Sequence, residues 1–95
     1  MRFTLEPATD KKHKYIGVFT ADDGSTTRVP FGAYGMEDLT IHKNRLRKSL
    51  YLVRHRPREN WNDPMTAGSL SRWILWETPS LAANIRRFKS KFNLT

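Results

Sequence analysis

Leu81, Ile85, Phe88 and Phe92 recur at i, i+4, i+7 and i+11, an unbroken apolar stripe along a helix predicted from Pro79 to about Asn93. Two of the four are phenylalanines, so leaving the stripe in water is costly and the rest of the chain must provide a surface to cover it. In a chain of 95 residues that surface has to belong to the same fold unit. A domain of this size buries roughly 60–65% of the surface its unfolded chain exposes, enough for one core. The expectation is a single basic α+β domain over residues 1–95, mainly β from 1 to 35 and mainly helical from 38 to 95.

The N-terminal third reads as β structure. Arg2–Glu6 is a short predicted strand stopped by Pro7, and Lys14–Thr20 is rich in β-formers. Ala21–Ser25 contains Asp23-Gly24, the strongest turn cue in the chain, and Thr26–Phe31 returns as the partner strand. Pro30 cannot donate a ladder bond and belongs at an edge or a strand end. The helical part opens at Thr40, capped by Asp38 or Thr40 itself, and runs to Arg56 before Pro57. Within it Leu46, Leu50 and Val53 fall at i, i+4 and i+7, which predicts a core-facing stripe with Lys48 and His55 on the opposite side. Asp63-Pro64 and Thr78-Pro79 each read as an N-cap followed by a first-turn proline. They open helices over Pro64–Trp76, with Leu70, Trp73 and Ile74 inward, and Pro79–Asn93. The predicted architecture is a β-hairpin, or a three-stranded sheet, packed on three short helices.

Charge narrows the function classes. Seventeen Lys and Arg oppose nine Asp and Glu, for a formal +8 and a pI near 10.3. The signs are segregated. Lys43, Arg45, Arg47, Lys48, Arg54, Arg56 and Arg58 lie in a stretch from Leu39 to Arg58 with no acid. Arg86, Arg87, Lys89 and Lys91 lie in another, from Thr78 to the end. A solvated helix face ordinarily mixes Glu with Lys at i, i+4; here the acids are missing, which fits a surface for a polyanion. Seven of these eleven groups are Arg, whose fork suits phosphate and the minor groove.

Other chemistry is poorly represented. With no cysteine, disulfides and thiolate zinc sites are excluded. No signal peptide or membrane span is readable, so a soluble protein without a membrane partner is expected. His42, His55 and Asp63 are the only set that suggests a metal or nuclease site, and their spacing matches no ligand motif. No phosphate loop, nucleophile elbow or dinucleotide fingerprint occurs. A non-enzymatic role without cofactor or metal is expected. The segment Glu59–Gly68 joins Trp61, Asn60, Asn62 and a helix start. Trp61 is read as a core plug before a base-stacking group, Asn60 and Asn62 as turn formers before adenine readers, and Gly68 and Ser69 as a close-packing point.

Phe31-Gly32-Ala33-Tyr34-Gly35-Met36, Asp38, Thr40, Ile41-His42-Lys43, Arg47, Tyr51, Arg54-His55, Glu59 to Gly68, Leu70 to Trp76 and Pro79 together resemble a group of short basic proteins of the nucleocytoplasmic large DNA viruses, the giant viruses. The resemblance spans about Lys14 to Leu94. It implies a viral setting, DNA binding and packaging into virions, and hence a location in the virion and in the viral factory or nucleus of an infected cell. It supplies no catalytic residues. The expected function is a DNA-binding protein that organises or compacts a genome through phosphate and minor-groove contacts, with little or A·T-leaning sequence preference. RNA is a variant ligand, a homodimer would add avidity, and the alternative is a protein-interaction adaptor that docks through the Trp-rich segment.

Overall fold

The computed structural model describes all residues from Met1 to Thr95. Three strands form one antiparallel sheet in sequence order: β1 (Arg2–Pro7), β2 (His13–Thr20) and β3 (Thr26–Ala33). Four α-helices follow: α1 (Leu39–His42), α2 (Arg45–His55), α3 (Ala67–Leu70) and α4 (Leu81–Lys91). The α+β expectation holds, with the sheet at the N-terminal end. Asp23 shapes the β2–β3 turn by accepting from the Ser25 amide and hydroxyl, and Gly24 takes φ +89° there. β3 is an edge strand, which is where Pro30 can sit without orphaning a neighbour. The free edge of β1 is covered by the chain's own end: the Phe3 amide donates to Thr95 and the Thr95 amide to Met1.

The core lies between one sheet face and the C-terminal helices. Phe3, Phe19, Phe31, Leu70, Ile74, Leu75 and Phe88 are buried in one cluster. Phe3 pairs with Phe19 across β1–β2, and both rings reach Phe88 of α4, at 4.9 Å and 6.4 Å between centroids. Leu81, Ile85 and Phe92 pack around the same cluster, so the α4 stripe is buried as its spacing predicts. Gly17 and Gly32 set the closeness of the layers. A Cβ on Gly17 would stand 3.0 Å from a Leu70 methyl, and one on Gly32, already at φ +77°, would stand 2.9 Å from Leu75.

The helix boundaries depart from the sequence reading in three places. The helix expected from Thr40 to Arg56 is two helices. Lys43 adopts the left-handed conformation and closes α1, and the Asn44 side chain then caps α2 by accepting from the Leu46 and Arg47 amides. Asp38 does cap α1, accepting from the Thr40 amide. Beyond His55 the chain continues as a 3₁₀ turn, Arg56–Arg58, that includes Pro57. The cap expected at Asp63 falls at Thr66, which accepts from the Ser69 amide; Asp63 makes only a local turn with Met65. α3 then widens into a π-helical turn over Ser71–Leu75. The cap expected at Thr78 falls at Ser80, which accepts from Ala83. In both cases the proline lies before the helix rather than in its first turn.

Thr78 is instead bound to Asn84, a fully buried side chain with every hydrogen-bonding position used. Its amide nitrogen donates to the carbonyls of Ile74 (2.7 Å) and Thr78 (2.9 Å), and its oxygen accepts from the Thr78 amide (3.0 Å) and hydroxyl (2.6 Å). This lock ties the end of the π turn to α4.

The largest correction concerns α2. Leu46, Leu50 and Val53 are 69%, 56% and 75% exposed, so the predicted core stripe faces solvent. Lys48 and His55, expected to point outward, face the body. The reason is Tyr51, the one buried residue of α2, whose ring stacks on Trp76 at 4.3 Å and 6°. With Tyr51 inward, helical geometry turns the Leu/Val stripe away.

Candidate nucleic-acid interface

The sequence nominates eleven basic residues; the fold places four on α2 and four on α4, with Lys43 at the end of α1 and Arg56 and Arg58 in the 3₁₀ turn after α2. On α4, Phe88 and Asn84 point inward, so Arg86 and Arg87 take the outward half of the helix, flanked by Lys89 and Lys91. No carboxylate comes within 4.0 Å of any of the four. On the other helix Arg47 holds Glu37 at 3.0 Å, and Lys48 reaches Glu77 through both its carbonyl (2.7 Å) and its carboxylate (3.3 Å). Lys43, Arg45, Arg54, Arg56 and Arg58 have no acidic partner and are exposed. Nine of the eleven thus present uncompensated charge. The chain's acids are engaged elsewhere: Glu6 with Arg28, Asp38 with Lys14, and Glu77 with Lys48 and Arg72.

A ladder of alternating cations and indoles connects the two basic regions. Arg56 lies 5.9 Å from the centre of the Trp61 ring, and Arg72 lies 5.4 Å from Trp61 and 4.2 Å from Trp73. Lys91 lies 4.5 Å from Trp73 on the far side of the series. Trp73 also donates its indole N–H to the Trp61 carbonyl at 2.8 Å, and Trp61 donates its own to Glu59. Cations over indole faces are attracted by the ring quadrupole, so Arg56 and Lys91 are held at a defined separation. Trp61 is therefore not the core plug the sequence suggests. It is half-buried, outside the core cluster, and covered by Arg side chains.

Arg72 is the residue that charge reasoning missed. It lies outside both acid-free stretches, and only its place next to Trp73 hints at a role. Its guanidinium bridges two indoles and bonds Glu77 at 3.4 Å, while its Nε is buried without a partner.

Asn60 shapes a turn by accepting from the Asn62 amide, and Gly68 is the close-packing point expected, since a Cβ there would stand 2.8 Å from the Glu59 carboxyl carbon. The three residues considered for a metal are dispersed among local partners. His42 accepts from the Asn44 amide, His55 pairs with Glu59 at 2.9 Å, and Asp63 binds the Met65 amide. No group of three metal-ligating side chains comes together. A cleft of about 360 Å³ opens between β3, α2 and α3, and its ionic groups include the paired Lys14–Asp38 and His55–Glu59. Tyr51 forms part of its wall; burial, and then the Glu59 carboxylate, push its phenol well above the usual tyrosine range. No helix is long and apolar enough to cross a membrane.

Fold and surface together define a small α+β protein with eight of its seventeen Lys and Arg on α2 and α4, neither of which carries an acid. Residues 3–55, from β1 through α2, match the profile of a family of unknown function, DUF5754, and the chain belongs to that family. No curated protein and no solved structure matches the chain.

Proposed function

We propose that this protein binds duplex DNA through the outward face of α4, extended by the indole ladder to Arg56 and Arg58. The observation that carries this reading is the set Arg86, Arg87, Lys89 and Lys91: four cations on one helix, none paired with an acid. Such a face costs folding energy through self-repulsion and gains it back when phosphates replace the missing counter-charges. Contacts are mainly to the sugar–phosphate backbone, with Arg entering A·T-rich minor grooves, and Lys43, Arg45 and Arg54 add to the long-range field. The resemblance to short basic giant-virus proteins gives the biological setting: a viral protein that organises or compacts the genome in the virion, the viral factory or the nucleus. Duplex DNA is the ligand proposed, with RNA as the variant that a parallel gel shift with RNA probes separates from it.

A salt-resolved gel shift tests this. Five neutralised phosphates give a log–log slope of about −4.5, and replacing Arg86 and Arg87 with Ala lowers its magnitude by about 0.9 per residue. Absence of retardation at low salt sinks the reading, and an unchanged slope in the double variant moves the interface off α4.

A further inference from the structure

The solvent-facing stripe of α2 has the spacing of a coiled-coil seam. Leu46, Leu50 and Val53 are separated by four and three residues, the alternation of d, a and d positions in a heptad. In that frame Arg47 and Arg54 occupy e positions and Arg56, in the turn just beyond the helix, the following g position. These flanking sites set partner choice in helix pairs through interhelical charge. α2 carries no acid at all. At about 100° per residue the three apolar side chains cover a sector only about 60° wide, the width of a helix–helix seam and narrower than the broad apolar face of a helix that lies on a membrane.

We propose that α2 is a docking ridge for an amphipathic helix of another protein, one with an apolar seam flanked by Glu or Asp. Charge selects this occupant. A second copy of the chain would bring no acid to pair with these arginines, and in the antiparallel orientation it would set Arg47 against Arg54. Duplex DNA would satisfy the arginines but press Leu46, Leu50 and Val53 against phosphates. An acidic helix covers the apolar ridge and neutralises Arg54 and Arg56, the flanking cations that have no acid of their own, while Arg47 already holds Glu37. The ridge is also free to accept it: α2 is held to the body from behind, by Tyr51 on Trp76 and Lys48 on Glu77, so docking requires no rearrangement. The apolar ridge is separate from the α4 face, and although Arg54 and Arg56 border both surfaces, Leu50 belongs only to the ridge, so a change there tests docking apart from DNA binding.

The test uses the full chain, ¹⁵N-labelled, and two synthetic peptides of about 20 residues, long enough to be helical alone. Both carry the same Leu seam; one has Glu at the flanks and the other Lys. The Glu peptide is expected to shift amide resonances of residues 45–56 and to leave α4 unmoved, while the Lys peptide has no effect. Leu50→Ser, an exposed and charge-neutral change, is expected to weaken the Glu peptide about tenfold, as loss of one buried Leu implies, and to leave DNA retention unchanged. Arg54→Glu should weaken the Glu peptide and admit the Lys peptide. Equal binding of both peptides overturns the proposal, as does failure of the Glu peptide to shift α2 at millimolar concentration. So does a wild-type dimer in sedimentation that Leu50→Ser dissociates, or α2 binding to phosphatidylserine vesicles without binding to the Glu peptide.

Discussion

α2 and α4 are helices of eleven residues, each with no acid, at least four cations and an apolar stripe. Their stripes nevertheless point in opposite directions, one to solvent and one to the core. The difference lies in what each helix offers the sheet. α4 brings two Phe rings and a satisfied Asn84, which fill the volume between Phe3 and Phe19 and the π turn. α2 offers two Leu and a Val on one side and Tyr51 on another, and the flat face of Trp76 matches the tyrosine ring. Stacked aromatics contribute about 0.5–1.5 kcal/mol beyond their buried area. The Lys48 bonds to Glu77 lie on the same side and add to it. An apolar period shows that a helix has two faces; it does not show which face another element will cover.

The sharpest way to break this comparison is a pair of truncations. Phe88→Ala opens a cavity in the core and is expected to cost about 3–5 kcal/mol. Leu50→Ala should stay within about 0.5 kcal/mol of wild type, as exposed positions do. Urea unfolding measures both, and a loss above about 1 kcal/mol for Leu50→Ala would mean that α2 is buried after all. Asn84→Ala comes next: it leaves the buried Ile74 carbonyl and the half-buried Thr78 carbonyl without their Asn84 donor and should cost about 2–3 kcal/mol. A near-neutral result would remove the polar lock from the account of why α4 is anchored.

The smallest effect concerns the anchor of α2. The Tyr51 hydroxyl makes no hydrogen bond in the structure, so Tyr51→Phe should change stability at neutral pH by less than about 0.5 kcal/mol. Its pH dependence is still informative. Because burial raises the folded-state value above the ordinary tyrosine value, the contribution is present in full below that ordinary value and is lost as pH rises toward the folded one. Absorbance titration in alkali should therefore show one phenol that ionises later than an ordinary tyrosine, and Tyr51→Phe should remove that step. Persistence of the late step in the variant would place the resistant phenol elsewhere.

Much of the fold could be read from short-range chemistry. Asp23-Gly24 allows one tight turn, β-branched and aromatic residues flank it, and Pro30 permits only an edge, so the strands follow from backbone sterics and pairing. The four-membered stripe of α4 needs cover and has the largest side chains with which to obtain it. The lack of acids within both helices was equally visible as a property of the sequence, but the pairing of Arg47 with Glu37 and of Lys48 with Glu77 was not, because those acids lie in other segments. The helix breaks were less so, because capping at Asn44, Thr66 and Ser80 competes with equally plausible caps at Thr40, Asp63 and Thr78. Local rules do not rank caps whose outcome depends on where the preceding loop must go.

By itself, then, the sequence determined an α+β chain, the turn positions, the burial of α4 and the presence of two acid-free basic helices. Each of these depends on contacts within a few residues or on bulk charge. The tertiary structure decided the facing of α2, the cation–indole ladder from Arg56 through Arg72 to Lys91, and the lock at Asn84. The first two depend on pairs far apart in the chain, Tyr51 with Trp76, Arg72 with Trp61 and Lys91 with Trp73, and the third on how the π turn meets α4, none of which a local pattern specifies.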